Sequence, residues 1–158
     1  RYVTDRAIDM GRNEDFDRLI LHYFQPHSPW VSNAISQDRK LKSHEEGFGY
    51  ITETGDVDSA WDSYLDDLRW VLDDVEILLE NMDQEKIVIT ADHGDALNEY
   101  GVMSQKIGAV HPKIRKVPWM MTSGTDTETY EPTSEEPTDS AVETEEINDQ
   151  LEALGYKT

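Results

Sequence analysis

The sequence predicts an α/β fold in which a long amphipathic helix connects two short apolar strands. Residues 18–24 and 87–91 are apolar runs of the length and composition typical of buried strands. Between them, over residues 58–82, apolar side chains recur at helical spacing and form one broad stripe. A strand, a long helix and a second strand make a crossover, so we expect the two strands to lie parallel in one sheet.

The elements before the long helix are defined by polar and proline residues. Residues 3–12 are predicted to form a short helix with Thr4 as its N-cap. The apolar run at 18–24 ends before Pro26 and Pro29, which prevent a continued strand and predict an extended loop.

The long helix and the segments after it are predicted in the same way. Asp58 is a natural N-cap for the helix, because a short acidic side chain can accept a hydrogen bond from the first turn. Residues 95–101 predict a short helix or turn, and residues 117–121 predict another short strand with Pro118 at its start or edge.

Composition divides the chain into three parts. Residues 1–122 carry the α/β pattern. Residues 123–139 form an acidic, low-complexity linker without Lys or Arg. Residues 140–158 begin with a possible capping box and continue with a narrow apolar face, which predicts a C-terminal helix that docks on the body.

Composition also excludes several functions. The 158 residues include no Cys, which excludes a disulfide framework, a thiolate zinc site and a cysteine nucleophile. A net charge of −20 makes nucleic acid and anionic membranes poor partners. No apolar run approaches the roughly 20 residues of a membrane span. The acidity suits either a high-salt habitat or an ordinary solvated surface.

A candidate metal site follows the second predicted strand. Asp92 and His93 come directly after the strand, and Gly94 lets the backbone turn sharply. Ligands of open α/β sheets bind beyond the carboxyl ends of the strands, and a carboxylate beside an imidazole suits a divalent metal. The alternative is that Asp92 caps the next helix and His93 is an ordinary surface histidine.

Two further groups are expected near this pair. His27 lies on the proline-rich loop after the first strand, and parallel strands would bring it to the same rim as Asp92 and His93. His111 and Lys106 belong to a basic segment downstream, where cationic groups suit a phosphate or sulfate. The alternatives are an exposed histidine in a turn and a solvated basic loop.

These residues resemble the sulfatases of the alkaline-phosphatase superfamily. Residues 90–101, TADHGDALNEYG, look like that family's "ADHGE … GEHG" motif, and residues 22–30, HYFQPHSPW, look like its "HY-x-x-PH-x-PY" element. Residues 116–119, KVPW, resemble its "R-VP-L" strand, and residues 151–156, LEALGY, are similar to its common last helix. The acidity and the Val-Pro-Trp variant look most like halophilic archaeal members.

The resemblance implies part of an alkaline-phosphatase-like sheet with flanking helices. It implies metal-dependent hydrolysis, or transfer, of sulfate or phosphate esters. Asp92 and His93 would be the metal ligands and His27 would contact the anion. His111 would neutralise the anion or the leaving oxygen, with Lys106 competing for that role. A His as the second ligand favours zinc or manganese, with calcium and magnesium still open.

The resemblance covers only the carboxyl-terminal part of such an enzyme. In that family the amino-terminal half carries two acidic metal ligands and the nucleophile, and nothing here matches them. We therefore expect the isolated chain to be inactive, since a metal held by Asp92 and His93 alone would be underligated. Expected partners are an anionic ester and the missing half or another chain. The alternatives are a non-catalytic relative that docks on another chain, or a generic acidic domain.

Overall fold

The computed structural model describes residues 1–105, 108 and 110–133, and this part of the chain is mixed helix and strand. Short 3₁₀ turns occur at Ser43–Glu45 and Glu99–Gly101. Across the described residues, no helix combines the length and apolarity needed to cross a membrane. The helices are α1 (Tyr2–Asn13), α2 (Ser32–Ser36), α3 (Phe48–Thr54), α4 (Val57–Glu80) and α5 (Pro112–Arg115), and the strands are β1 (Gln84–Thr90), β2 (Ala96–Leu97), β3 (Met103–Ser104) and β4 (Trp119–Gly124).

The long helix α4 confirms the prediction from apolar spacing, with small changes at both ends. Its N-cap is Asp56 rather than Asp58, because the Asp56 carboxylate accepts a hydrogen bond of 3.1 Å from the Ser59 amide. At its other end, the Leu79 and Glu80 carbonyls each accept a backbone N–H at 2.9 Å from the chain that follows β4. Both ends of α4 therefore have partners for backbone groups that a helix cannot satisfy itself.

Two apolar clusters pack on opposite ends of α4. The first joins the C-terminal end of α4 to α1 and is made of Ala7, Ile8, Leu78 and Met82. The second joins the N-terminal half of α4 to the loop before α2, to α3 and to β2, and is built around Trp30, Ile51 and Ala60. Because one rigid helix carries both clusters, it fixes the distance between them.

The predicted helix at 3–12 is confirmed as α1, but the predicted strand at 18–24 is wrong. Thr4 is not the N-cap; it is buried, and its hydroxyl is 3.0 Å from the hydroxyl of Tyr23. The 18–24 segment has no ladder partner within the described residues. Leu21 packs on the first cluster while Ile20 is 88% exposed. The apolar pattern of this segment therefore arises from the burial of one side of the chain and not from strand pairing.

The sheet that contains β1 is antiparallel, so the predicted parallel crossover is also wrong. β1 pairs with β4, and Val88 lies opposite Met121 while Thr90 lies opposite Trp119. β2 and β3 form a separate antiparallel pair. The chain is thus α/β in the broad sense that helices pack on strands, and the alkaline-phosphatase-like arrangement stays a prediction.

The two faces of the β1–β4 sheet differ in burial. Gly124 approaches the end of α4 so closely that a Cβ there would overlap the carbonyl oxygen of Met82, two residues after the helix. The opposite face carries Val88, Met121 and Trp119, of which Trp119 is 69% exposed. An apolar sheet face is therefore open to solvent beside the strand that leads to Asp92.

Part of the predicted acidic linker lies against the body of the protein. Its predicted start at 123 falls inside β4. Further on, Asp126 receives two hydrogen bonds from Arg12, at 2.7 and 2.8 Å, and the Tyr130 hydroxyl donates to Asp5 at 2.7 Å. The remainder of the predicted linker from 134, and the predicted helix at 140–158, lie outside the described residues.

A buried ion pair holds the segment that supports Trp30. Glu45 is 1% exposed, and its two carboxylate oxygens each accept a 2.6 Å hydrogen bond from Arg39. The Lys42 amide donates to the same carboxylate at 2.7 Å. These hydrogen bonds, chiefly those from Arg39, lower the pKa of Glu45 to about 2. The Glu45 carbonyl in turn accepts the Trp30 amide at 2.8 Å.

Replacing Glu45 should change stability in a pH-dependent way. Because folding lowers the Glu45 pKa, its stabilisation is fully present above pH about 4.5 and is lost as the pH falls toward about 2. We expect Glu45→Gln to lower the free energy of unfolding by about 2 kcal/mol at pH 7, with a smaller difference from wild type at pH 3. Urea unfolding between pH 7 and 3 measures this difference.

The matched control is Glu76→Gln, which makes the same isosteric change at an exposed position of α4. Its difference from wild type should stay within about 0.5 kcal/mol over the same pH range. A Glu45→Gln difference that does not change with pH would show that the ion pair does not govern this segment.

Candidate functional site

The Asp92–His93 pair lies on the turn that follows β1. The Asp92 carboxylate accepts the His93 backbone N–H at 2.9 Å, which holds the turn in place. The other Asp92 oxygen, Oδ2, is 3.7 Å from His93 Nε2. Asp92 is exposed and His93 is half-buried, so the pair faces solvent from a fixed backbone.

The geometry of this pair is compatible with one shared cation. The Gly94 carbonyl lies 3.2 Å from His93 Nδ1, and because a carbonyl can only accept, Nδ1 carries the proton in this contact. In the neutral ring, Nε2 then keeps its lone pair on the side of Asp92. An ion about 2.1 Å from each atom would see them at an angle of about 120°, which zinc or manganese accepts.

Gly94 joins this turn to α5. Its amide donates to the Ile114 carbonyl at 2.9 Å, and a Cβ at this position would overlap the Lys113 carbonyl oxygen. Only glycine allows such a close approach of two backbone segments. The residue after His93 therefore ties the candidate ligands to the basic segment of the chain.

His111 lies at the start of that segment. It is the N-cap of α5, where its Nδ1 accepts the Lys113 amide at 3.3 Å, and its ring centroid is 6.0 Å from that of Tyr100. Its Nε2 is shielded from solvent and has no hydrogen-bond partner in the described part of the chain. His111 thus belongs to the segment that contacts Gly94, but no hydrogen bond within the described residues links it to Asp92 or His93.

His27 lies on the loop between Pro26 and Trp30. Its Nδ1 is 2.6 Å from the Ser28 carbonyl, and its ring centroid is 4.6 Å from that of Phe24. The ring is exposed, but these two contacts fix its orientation. Trp30 anchors the loop, because the indole N–H donates to the Pro26 carbonyl at 3.1 Å. Lys106, the alternative anion-binding residue, lies outside the described residues.

Asp95 lies within electrostatic range of both the His27 loop and the Asp92–His93 turn, and the sequence analysis did not predict this position. Asp95 is half-buried, and burial raises the pKa of its carboxyl above the usual range. The charges of His93 and His27 lower the pKa of the Asp95 carboxyl, and the charge of Asp92 raises this pKa further. All three groups are therefore within electrostatic range of one carboxylate.

The cluster around Trp30 explains why these groups converge. Leu97 of β2 packs on this cluster two residues after Asp95. Burial, and after it the charge of Asp95, raise the pKa of Tyr64, whose ring contacts Trp30 edge-on at 6.3 Å. The His27 loop, through Trp30, and the Asp95 loop, through Leu97, thus pack on the same apolar cluster, which does not require the parallel strands that the sequence predicted.

The convergence is electrostatic rather than a preformed metal cage. Among the described residues, no group of three His, Asp or Glu side chains is already arranged to hold a metal ion. Asp92 Oδ2 and His93 Nε2 lie close enough for one shared ion, so any further ligands would have to come from a side-chain movement, from water or from another chain.

Comparison of the chain with protein-family models, with curated proteins and with solved structures finds no match.

Substitution of Gly94 should separate the turn from α5. In Gly94→Ala the added methyl group overlaps the Lys113 carbonyl, so one of the two segments must move. We expect a loss of about 1–3 kcal/mol in the free energy of unfolding, measured with urea. Gly49→Ala is the matched control, because a Cβ at that helical position meets nothing within 4 Å.

The control variant should be neutral or more stable by about 0.5–1 kcal/mol, since alanine is favoured over glycine in a helix. If Gly94→Ala were as stable as Gly49→Ala, the turn would not be packed against α5 as the structure describes.

Proposed function

We propose that this chain carries the metal-binding part of a sulfatase-like hydrolase of sulfate or phosphate esters. The observation that carries the proposal is the Asp92–His93 pair, whose Oδ2 and Nε2 atoms are 3.7 Å apart on a turn fixed by backbone hydrogen bonds. This spacing lets both atoms bind one divalent ion. The motif resemblance at residues 90–101 and 22–30 supports the same site.

The surroundings of the pair suit an anionic ester. His27 is exposed, and it lies close enough to Asp95 to affect the pKa of the Asp95 carboxyl. On the other side, the carbonyl oxygens of Lys113 and Lys116 adjoin Gly94, and both residues are exposed. In a chain of net charge −20, these two lysines would favour approach of a sulfate or phosphate group from this side.

Each group has a distinct role in the proposed site. Asp92 and His93 hold the cation, which when bound supplies charge stabilisation for the ester oxygens. His27 would contact the anion, and His111, with its shielded Nε2, is the candidate to neutralise the leaving oxygen. The nucleophile and two acidic ligands of the resembled family match nothing in this sequence, so we propose that hydrolysis requires a second polypeptide segment.

Zinc and manganese are the proposed cations. Imidazole nitrogen is a ligand of intermediate softness, which these ions accept more readily than calcium or magnesium do. Calcium and magnesium become the better candidates if the remaining ligands are all oxygen atoms.

A second candidate function is a non-catalytic docking module. It is favoured by the open face of the β1–β4 sheet, where Val88, Met121 and Trp119 are exposed on adjacent strands. Exposed apolar side chains on a sheet whose outer edges have no partner strand in the described residues are typical of a surface that another chain covers. Under this alternative, Asp92 and His93 have no metal-dependent role.

Metal binding by the whole chain distinguishes the two candidates. We expect Mn²⁺ to bind one site, and Asp92→Ala to weaken its affinity at least about tenfold, because a carboxylate ligand is lost. Isothermal calorimetry in concentrated KCl measures the affinity while salt screens the general attraction of an acidic surface for cations. Asp62→Ala is the control, since it removes an exposed acid from α4.

The site is absent if Asp92→Ala and Asp62→Ala bind Mn²⁺ equally well. That result would favour the docking module.

The isolated chain should not hydrolyse esters even when it binds the metal. We expect no release of nitrophenol from p-nitrophenyl sulfate or p-nitrophenyl phosphate above the rate with Asp92→Ala, because the nucleophile motif of the resembled family matches nothing in this sequence. Absorbance of nitrophenolate in the presence of Mn²⁺ or Zn²⁺ measures the rate. Metal-dependent turnover that Asp92→Ala abolishes would show that this chain contains its own nucleophile.

A further inference from the structure

We propose that residues 18–24 are a docking edge for an extended strand of another polypeptide. This strand has apolar side chains at alternate positions and basic residues at the end that lies beside residues 14–17. The docking edge is a different surface from the open face of the β1–β4 sheet. The inference goes beyond the proposed function and does not depend on metal binding by the Asp92–His93 pair.

The first argument is the backbone of this segment, which runs from Arg18 to Phe24 without a helix or a turn. Within the described residues, none of the amides of residues 18–24 and none of the carbonyls of residues 18–23 has a hydrogen-bond partner. Unpaired amides and carbonyls along an extended segment are the template to which another strand adds. The occupant is therefore a polypeptide that presents its own backbone in extended form.

The second argument is the alternation of the side chains along the docking edge. Leu21 packs on the cluster between α1 and α4, and the Tyr23 hydroxyl is 3.0 Å from that of Thr4 in α1. Ile20 and Phe24, which alternate with these anchors, are 88% and 62% exposed. Successive side chains of an extended segment point to opposite faces, so one face is anchored and the other is open. The side chains of a docked strand that lie next to Ile20 and Phe24 should therefore be apolar.

The third argument is the charge at the amino end of the docking edge. Glu14, Asp15 and Asp17 are exposed, and none of their carboxylates forms an ion pair within the described part of the chain. Basic residues of the occupant would be attracted to this end, and acidic residues would be repelled. Because antiparallel pairing is slightly more stable than parallel pairing, the basic residues should follow the apolar positions in the occupant's sequence. The net charge of −20 opposes a second copy of this chain as the occupant.

The test uses a short fluorescent peptide that alternates valine and threonine and ends in two lysines. Fluorescence anisotropy measures its binding to the whole chain in dilute and in concentrated KCl. We expect binding in both, and weaker binding in concentrated KCl because salt screens the attraction of the lysines. The same peptide with proline at its centre lacks a backbone N–H and should bind at least about tenfold more weakly. A version that ends in two glutamates should bind at least about threefold more weakly in dilute KCl.

Two matched variants locate the binding on the chain. Ile20→Lys should weaken binding of the lysine peptide at least about tenfold in concentrated KCl, because a lysine on an open edge disfavours strand addition. Ile35→Lys adds the same charge at an isoleucine of α2 that is 60% exposed, and it should change the affinity by less than about twofold. Circular dichroism and thermal unfolding establish that both variants are folded, and Phe24→Lys replaces Ile20→Lys if the latter is not.

Amide hydrogen exchange gives an independent measure of where the peptide lies. In the chain alone, the amides of residues 18–24 should exchange rapidly, because they have no hydrogen-bond partner within the described residues. A saturating amount of the lysine peptide should slow their exchange at least about tenfold. The exchange of the β4 amides should not change.

The proposal is overturned if the lysine peptide does not bind the wild type, if the proline or glutamate peptide binds equally well, or if Ile20→Lys and Ile35→Lys have equal effects. Slower exchange in β4 instead of residues 18–24 would place the occupant on the open sheet and would also overturn it. Slow exchange of residues 18–24 in the chain alone has the same consequence. In that case the segment is already paired, with a second copy if the protection disappears on dilution and within the chain if it does not.

Discussion

Burial of the Trp30 side chain is the interaction on which the candidate site depends. The residue is 1% exposed, its amide donates to the Glu45 carbonyl, and its indole N–H donates to the Pro26 carbonyl. Its ring also lies edge-on to Phe48 and Tyr64. A buried tryptophan removes more apolar surface from water than other side chains do, so it can fix an irregular loop that has no ladder of its own. His27 is held in place as a consequence.

The same cluster explains the electrostatics of Asp95. Leu97 and Met103, from the β2–β3 pair, pack against it and bring the preceding residues over an apolar surface. A carboxylate in that position loses solvent and gains the fields of the two histidines and of Asp92. The apolar cluster around Trp30 thus has two effects: it orders the loops, and it removes water from the Asp95 carboxylate.

Elements that depend on local periodicity were predictable, and elements that depend on distant pairing were not. The apolar stripe of α4 and the β-branched run of β1 predict a helix and a strand directly, because each pattern reflects a single buried face. The 18–24 segment has a similar composition, but its burial comes from packing on α1, as Leu21 shows, and composition does not distinguish the two cases. The cap of α1 shifted by three residues for the same reason, since Thr4 bonds to a distant tyrosine instead of its own helix.

Asp95 was missed because its importance lies in burial rather than in residue type. In the sequence it is one of 34 acidic residues, and the only signal was its place after Gly94 in a short run of ligand-type residues. Its carboxyl is partly desolvated in the fold, and its charge acts on Tyr64, a residue that is far away in the chain. Asp92 and His93, by contrast, could be selected because a strand, a doublet and a glycine are adjacent in sequence.

The Asp92–His93 pair is positioned by different contacts from those that the sequence predicted, and the difference shows what the candidate site requires. The sequence predicted that two parallel strands would place His27 and the Asp92–His93 pair at one edge of a sheet. In the structure, β1 pairs antiparallel with β4 and the 18–24 segment is not in a strand. What positions the pair is the end of β1, where the Thr90 hydroxyl donates to the Pro118 carbonyl at 2.7 Å, followed by the Gly94–Ile114 hydrogen bond. Both contacts tie the turn to the segment between His111 and β4. The location of the candidate ligands therefore follows from one strand end and one glycine, and it does not require the predicted parallel crossover.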